Sequence, residues 1–243
     1  MKTDRLLLPD GRDIALRHQR GREPTLLFLP GYASDMMGSK ALHLADLATR
    51  HGISLLRFDY SGTGESSGRF EDGTLASWLD EAEAVAGRTD GPLVLVGSSM
   101  GGWLMLHLAE RLAGRVVGLV GIAAAPDFTD WGYGDEDKRT LEAEGELRRD
   151  NPYGGDAELT TLSFWRSGEA LKLLDRTIDF AGPVRLLHGD RDAEVPLDIA
   201  FRLKDALASE DVQLIIVKGG NHRLSGPGEL ALLERTVIDL LKS

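Results

Sequence analysis

The sequence predicts an α/β fold in which a mainly parallel, twisted β-sheet is covered by helices on both faces. Short apolar runs that suit buried strands alternate along the chain with segments of helical periodicity, which is the pattern of such sheets. The 243 residues are 42% hydrophobic and 28% charged, a composition typical of a globular protein, and they suffice for one α/β domain spanning residues 1–243.

The sheet is expected to open with an antiparallel hairpin, because Pro9, Asp10 and Gly11 provide turn residues between two strand-like runs. The strands that follow are predicted to be parallel and buried, since their apolar runs are almost continuous. They cover residues 25–30, 53–60, 92–97, 116–123, 183–188 and 212–217.

Helices are predicted between these strands, where apolar residues recur on one face. Ser39 is expected to cap the first helix and Thr74 the second. A later amphipathic helix is expected near residues 199–207. The last helix places five leucine and valine residues on one stripe: Leu230, Leu233, Val237, Leu240 and Leu241.

Residues 126–168 break the strand and helix pattern with a polar segment that contains scattered aromatic residues. This segment is predicted to be an inserted cap. Its aromatic side chains allow two interpretations, because they suit either the lining of an apolar acyl pocket or anchors that hold the cap on the sheet. These residues are Trp131, Tyr133, Phe164 and Trp165.

Composition argues against several classes of partner. With 39 acidic and 28 basic residues, the chain has a formal charge of −11, which disfavours nucleic acid and anionic lipid surfaces. The absence of cysteine excludes disulfides and thiolate catalysis. The N-terminal segment is too charged for a signal peptide, and no apolar run reaches spanning length. A soluble cytoplasmic protein without stable membrane insertion is expected.

Residues 97–101, Gly-Ser-Ser-Met-Gly, fit the pattern G-x-S-x-G between a predicted strand and a predicted helix, which is the context this pattern requires. Glycines beside Ser99 relieve crowding at a sharp turn, so the serine hydroxyl is expected to point outward. The N–H of Met100, at the start of the helix, is expected to donate to an oxyanion. A small-residue turn without chemistry is the alternative for this motif alone.

A serine hydroxyl becomes a strong nucleophile when an adjacent base takes its proton. His222 follows a predicted strand and a flexible turn at 219–221, so its imidazole is expected at the same edge of the sheet as Ser99. An ordinary surface loop is the alternative for His222. The remaining histidines have structural explanations: His18, His43, His51, His107 and His188.

The acid that orients this histidine is expected in the loop that contains Asp190, Asp192 and Glu194. Asp192 is preferred, because the loop has room to turn its carboxylate towards the loop of His222, and Asp190 stays as an alternative. The resulting order along the chain, Ser99, Asp192, His222, differs from the orders of other serine-protease folds.

A second oxyanion donor is expected after the strand at 25–30, where Gly31 exposes the backbone and the N–H of Tyr32 follows. An ordinary Pro-Gly turn is the alternative. The loop at 57–66 is interpreted chiefly as a structural turn that supports the serine turn, with direct contact to substrate as a lesser alternative.

From the first hairpin to the last helix, the chain resembles the α/β-hydrolase superfamily. The segments RFDYSGTGESSG (57–68), LVGSSMGGWLMLH (95–107), RLLHGDRDAEVP (185–196) and NHR (221–223) resemble its mitochondrial abhydrolase-domain branch of palmitoyl-protein thioesterases and acyl-glucuronide esterases. The resemblance implies a nucleophile, acid and base at Ser99, Asp192 and His222, with oxyanion donors at Tyr32 and Met100. Two features depart from that branch: no presequence is expected before the first strand, and the cap at 131–164 matches poorly.

The predicted function is hydrolysis of a carboxylic ester or thioester in a small-molecule or acylated substrate, through an acyl-enzyme on Ser99. The same triad also suits C–C bond hydrolysis or peptide cleavage, and a third alternative is ligand binding without turnover. No cofactor is implied. A metal centre is not predicted, because no pair of histidines has ligand spacing on a helix.

Overall fold

The computed structural model of the protein describes residues 2–150 and 157–242. Ten strands in these residues form a main sheet and a separate hairpin. The strands are β1 (Asp4–Leu7), β2 (Asp13–Gln19), β3 (Arg22–Leu29), β4 (Ile53–Phe58), β5 (Leu93–Ser98), β6 (Val116–Ile122), β7 (Glu146–Arg149), β8 (Glu158–Thr161), β9 (Val184–Gly189) and β10 (Val212–Val217). The main sheet has the order β1-β2-β4-β3-β5-β6-β9-β10, and β7 and β8 form the hairpin.

The main sheet is parallel except at its N-terminal end. β1 pairs antiparallel with β2, and β2 pairs antiparallel with β4, whereas the remaining neighbours run parallel. Every residue of β4 and β5 is buried, which explains their continuous apolar sequences. The predicted hairpin and the parallel sheet are therefore confirmed. The carboxyl ends of β3, β5, β9 and β10 meet at one edge, so the loops that follow these strands are neighbours.

Helices cover both faces of the sheet, as predicted. They are α1 (Ser39–His51), α2 (Leu75–Ala86), α3 (Met100–Arg111), α4 (Phe128–Trp131), α5 (Asp135–Glu144), α6 (Leu162–Ala170), α7 (Leu197–Ala206) and α8 (Pro227–Leu240). Leu47 of α1 and Val237 of α8 belong to one buried cluster, whereas Trp78, Trp103 and Leu203 belong to the cluster on the opposite face. No helix in the described residues is long and apolar enough to cross a membrane.

The helix starts differ in how they are capped. Thr74 caps α2 as predicted: its hydroxyl accepts from the N–H of Ser77, while the Ser77 side chain accepts from the N–H of Thr74. The prediction for α1 was wrong by one residue. Ser39 is the first helical residue, and extended Gly38 precedes it without a side-chain cap. Glycine is an acceptable residue before a helix, so the Ser39 hydroxyl is not needed there.

The segment expected to form a cap contains helices and strands that its polar sequence did not predict. Helices α4, α5 and α6 flank the antiparallel hairpin of β7 and β8, and α6 continues beyond Gly168. Residues 151–156 of the expected cap lie outside the described residues. The N–H of Ala76 on α2 donates to the hydroxyl of Ser167 on α6 at 2.9 Å, which joins this segment to the helices on the sheet.

Candidate active site

The turn between β5 and α3 holds Ser99 in a conformation that side chains rarely adopt. Its φ is 52° and its ψ is −120°, in a region that is costly for a residue with a Cβ. A Cβ on Gly97 would lie 2.4 Å from the carbonyl oxygen of Gly101, and one on Gly101 would lie 2.1 Å from that of Leu29. Both flanking positions therefore require glycine, which is the sharp turn that the sequence predicts.

His222 lies beside this serine. The loop after β10 brings the imidazole Nε2 to 3.0 Å from the Ser99 Oγ, although 123 residues separate the two positions. Gly189, at the end of β9, packs so tightly on the same loop that an added Cβ would lie 2.2 Å from the Gly220 carbonyl oxygen. The loops after β9 and β10 are thus held in direct contact.

Asp192 occupies the other side of the imidazole. Its fully buried carboxylate places Oδ2 at 2.9 Å from the Nδ1 of His222, while Oδ1 accepts the N–H groups of Glu194 and Val195, each at 2.9 Å. Burial acts to raise the pKa of Asp192. The hydrogen bond and charge of His222, together with the two N–H donors, outweigh it, so the pKa lies below its ordinary value.

The geometry distinguishes the acid candidates that the sequence left open. Asp190 turns away to accept the N–H of Gly219 at 2.5 Å. Glu194 places Oε2 at 3.5 Å from the Nε2 of His222, on the ring nitrogen that faces Ser99. Only Asp192 therefore bonds the Nδ1 of the imidazole among these three carboxylates.

The hydrogen-bond partners assign the proton positions on His222. An ionised carboxylate can only accept, so Nδ1 carries the proton that Asp192 receives. The lone pair of Nε2 then faces the hydroxyl of Ser99, which can donate to it. This arrangement suits transfer of the serine proton to the imidazole.

The two residues predicted to donate N–H groups to an oxyanion, Tyr32 and Met100, lie on segments that adjoin Ser99. The loop after β3 passes close to the serine, because a Cβ on Gly31 would lie 3.3 Å from the Ser99 Cβ. Tyr32 follows Gly31, and Met100 begins α3 directly after Ser99. Within the described part of the chain, neither the N–H of Tyr32 nor that of Met100 donates to a protein acceptor. Both remain available to a ligand.

The loop at 57–66 supports the loop that contains Tyr32. The Asp59 carboxylate accepts the N–H of Met36 at 2.7 Å and that of Glu65 at 2.8 Å, so it joins the two loops. Burial raises the pKa of Asp59, although these two donors act in the opposite direction. An open hollow of about 250 Å³ lies beside this junction and is lined by residues 33–35 and 62–64 and by Phe70.

Three of the four aromatic residues of the expected cap make hydrogen bonds within it, and the fourth packs against the rest of the domain. The indole N–H of Trp131 donates to the carbonyl of Pro126 at 2.8 Å, and that of Trp165 donates to the carbonyl of Thr129 at 2.9 Å. The Tyr133 hydroxyl bonds the Thr160 hydroxyl at 2.8 Å. Buried Phe164 packs against the Tyr32 ring with a centroid separation of 4.8 Å.

Tyr32 also reaches the cap through its hydroxyl, a link that no sequence motif announces. The hydroxyl donates to the carbonyl of Leu159 on β8 at 2.5 Å. Its ring lies between Phe70, Phe128 and Phe164. One residue therefore presents a backbone N–H near Ser99 and a side chain to the expected cap.

A second link missed at the sequence level involves Lys40 of α1. Its ammonium donates to the carbonyl of Arg223, the residue after His222, at 2.6 Å. Burial lowers the pKa of Lys40 to about 8. A lysine at a helix start gives no signal of such a contact, because the contact depends on how α1 packs against the loop after β10.

Four of the five other histidines have side-chain partners in the protein. His107 bonds the carbonyl of Leu171 at 2.8 Å, and His188 bonds that of Val195 at 2.9 Å. His18 bonds the Ser54 hydroxyl at 3.3 Å, and His43 pairs with Glu234 at 3.1 Å. The described residues contain no cluster of three or more histidine, aspartate or glutamate side chains arranged to hold a metal ion.

Comparison with known proteins agrees with this fold. The model of the alpha/beta hydrolase family matches residues 26–231. The chain belongs to this family. The human mitochondrial palmitoyl-protein thioesterase ABHD10 is 36% identical over 238 residues, which cover 96% of this chain and 78% of the human protein. The predicted cytoplasmic location stays a prediction, since this relative is described as mitochondrial.

Two solved structures are similar over almost the whole chain. A protein from Agrobacterium vitis S4 has a TM-score of 0.93 and 36% identity, with 98% of each chain covered. Mouse alpha/beta hydrolase domain-containing protein 10 has a TM-score of 0.93 and 33% identity, with 100% of this chain and 99% of the mouse chain covered. The chain is therefore similar to a palmitoyl-protein thioesterase in sequence and to a mouse alpha/beta hydrolase domain-containing protein in structure.

Proposed function

We propose that this alpha/beta hydrolase cleaves carboxylic ester or thioester bonds and that Ser99 is its nucleophile. The observation that carries the proposal is the hydrogen-bonded series from Ser99 Oγ through His222 to Asp192, with separations of 3.0 and 2.9 Å. Similarity to a palmitoyl-protein thioesterase over 96% of the chain supports the type of bond cleaved.

In the first half of the reaction, Ser99 Oγ attacks the acyl carbon while His222 Nε2 takes its proton. The carboxylate of Asp192 stabilises the imidazolium that results. The carbonyl oxygen becomes an oxyanion and accepts the N–H groups of Met100 and Tyr32. Each such donor contributes about 3 kcal/mol to lowering the barrier.

The intermediate then collapses to an acyl-enzyme. His222 gives its proton to the departing oxygen or sulfur, so an alcohol or a thiol leaves and the acyl group stays on Ser99. A water molecule next donates a proton to Nε2 and attacks the acyl carbon through the same oxyanion site. The acid departs, and Ser99 regains its proton from His222.

Residues 126–168 are proposed to act as a cap on a domain that spans residues 1–243, with the acyl group bound beneath the cap. The contact from the Tyr32 hydroxyl to Leu159 supports this assignment, because it joins the cap to the loop beside Ser99. Aromatic rings around Tyr32 provide an apolar surface of the kind that acyl groups favour. The substrate is proposed to be a small molecule or another acylated compound.

The test is turnover of p-nitrophenyl esters of increasing chain length, a palmitoyl thioester and an acyl glucuronide by the wild type and Ser99→Ala. At least one ester or thioester should be hydrolysed, and Ser99→Ala should lower kcat by about 10⁶-fold. Ser98→Ala is the matched control, because it removes the neighbouring hydroxyl and should keep most of the turnover. Equal activity of Ser99→Ala and wild type would contradict the proposal, and binding without turnover would favour a ligand-binding role.

A further inference from the structure

Glu194 lies at the point where the proposed leaving group departs. Its Oε2 is 3.5 Å from the Nε2 of His222, close to the 3.0 Å that separates the same nitrogen from Ser99 Oγ. The Glu194 side chain is 36% exposed, so the carboxylate faces both the imidazole and the solvent.

The backbone of Glu194 is fixed by the same turn that orients the imidazole. The N–H groups of Glu194 and Val195 both donate to Asp192 Oδ1, and the Val195 carbonyl bonds His188. A side chain on so constrained a turn starts from a defined position. Glu194 therefore places its charge near the reacting atoms reproducibly.

A second carboxylate lies close enough to interact with it. Partial burial, and then repulsion from Glu194, raises the pKa of Glu158 on β8, while Arg149 and His222 act in the opposite direction. Two cations also lie nearby: Lys40 donates to the Arg223 carbonyl and interacts with the charge of Glu194, and Arg149 pairs with Asp137 at 2.6 Å. Negative charge is thus present on both the loop after β9 and the expected cap.

The proposed reaction fixes where a leaving group must pass. His222 Nε2 delivers its proton to the departing oxygen or sulfur, so that atom must come within about 3 Å of Nε2. Glu194 Oε2 lies 3.5 Å from the same nitrogen, so a charge on the remainder of the leaving group can interact with this carboxylate.

We infer that Glu194 selects substrates by the charge of the leaving group, disfavouring anionic leaving groups and favouring neutral or cationic ones. The inference rests on the proposed function and adds a substrate class to it. The Glu194 carboxylate and a unit charge on the leaving group are taken to be about 8 Å apart. With a dielectric constant between that of a protein surface and that of water, their interaction changes the rate of hydrolysis by about threefold to tenfold.

The experiment compares two acetate esters of nearly equal size, 4-acetoxybenzoate with an anionic leaving group and 4-acetoxybenzamide with a neutral one. For each enzyme, the ratio of kcat/KM for the anionic ester to that for the neutral ester is measured at low salt. Glu194→Gln should raise this ratio about threefold to tenfold, and about 0.5 M salt should reduce the effect. Glu210→Gln is the matched control, since exposed Glu210 precedes β10 and so lies at the opposite edge of the sheet.

The outcomes separate the inference from the proposed function. An unchanged ratio in Glu194→Gln, with both esters still hydrolysed in a manner that depends on Ser99, would overturn the inference and leave the proposed function intact. That result is expected if the Lys40 ammonium cancels the Glu194 charge. Absence of turnover that depends on Ser99 would overturn both.

Discussion

Replacing Asp192 with asparagine should disable the proposed base while leaving it in position. Asp192 Oδ1 accepts two backbone N–H groups at 2.9 Å, and an amide nitrogen cannot accept them. The asparagine must therefore keep its oxygen at that site and turn its NH₂ towards the Nδ1 of His222. Nδ1 then becomes an acceptor, Nε2 carries the proton, and the imidazole can no longer take a proton from Ser99.

The expected loss in kcat is about 10⁴-fold, or about 5.5 kcal/mol in the barrier, as is typical when this substitution fixes the wrong tautomer in a serine triad. The assay is steady-state hydrolysis of p-nitrophenyl acetate near neutral pH. Asp190→Asn makes the same change on the same loop, at a carboxylate that bonds Gly219, and should stay close to wild type in kcat. A folded Asp192→Asn variant with more than a tenth of the wild-type kcat would refute this reasoning.

The same pair of enzymes tests the electrostatics of the buried carboxylate. The pKa of Asp192 lies below its ordinary value of 3.8, so its ionised form stabilises the folded state above that value. This contribution is lost as the pH falls through the folded pKa. The difference in unfolding free energy between wild type and Asp192→Asn should be constant above about pH 5 and shrink below about pH 4.

Two further changes test contacts around the site. Tyr32→Phe removes the hydroxyl that donates to the Leu159 carbonyl, which should lower the free energy of unfolding by about 1 kcal/mol. It should also lower kcat for an acetate ester more than the control variant Tyr133→Phe does. The pKa of Lys40 is about 8 in the folded protein, against an ordinary value of 10.5. Between pH 8 and pH 10.5 the unfolded chain therefore binds more protons than the folded protein, and the free energy of unfolding rises with pH. Lys40→Met lacks this rise, so in urea unfolding its stability relative to wild type should fall from pH 8 to 10.5. A difference in stability between Lys40→Met and wild type that does not change with pH would contradict the lowered pKa of Lys40. Equal kcat in the two tyrosine variants would contradict a role of the Tyr32 hydroxyl at the site.

The sequence was most informative where local rules and topology agree. Ser99, Asp192 and His222 each follow a parallel strand, and parallel strands end at one edge, so their approach could be predicted from the chain alone. The choice between Asp190 and Asp192 needed coordinates, because it depends on which way a short loop turns. Their catalytic roles stay predictions.

Features that depend on packing between distant segments could not be predicted from the sequence. The hairpin of β7 and β8 carries mostly polar, partly exposed side chains, so it lacks the apolar alternation that signals a strand. Ser39 follows the general rule for helix caps, yet α1 begins after a glycine. Glu194 was recognised only as an acid candidate, since its approach to Nε2 depends on the turn that Asp192 organises.

The central claim is that the hydroxyl of Ser99 attacks an acyl carbon, and covalent trapping of that hydroxyl tests it most directly. The enzyme is treated with a fluorophosphonate, and its residual esterase activity is followed together with the mass of each proteolytic peptide. One phosphonyl group is expected on the peptide that contains Ser99; it should be acquired in step with the loss of activity and be missing in Ser99→Ala. Labelling at a different residue, or full activity in protein labelled at Ser99, would contradict it.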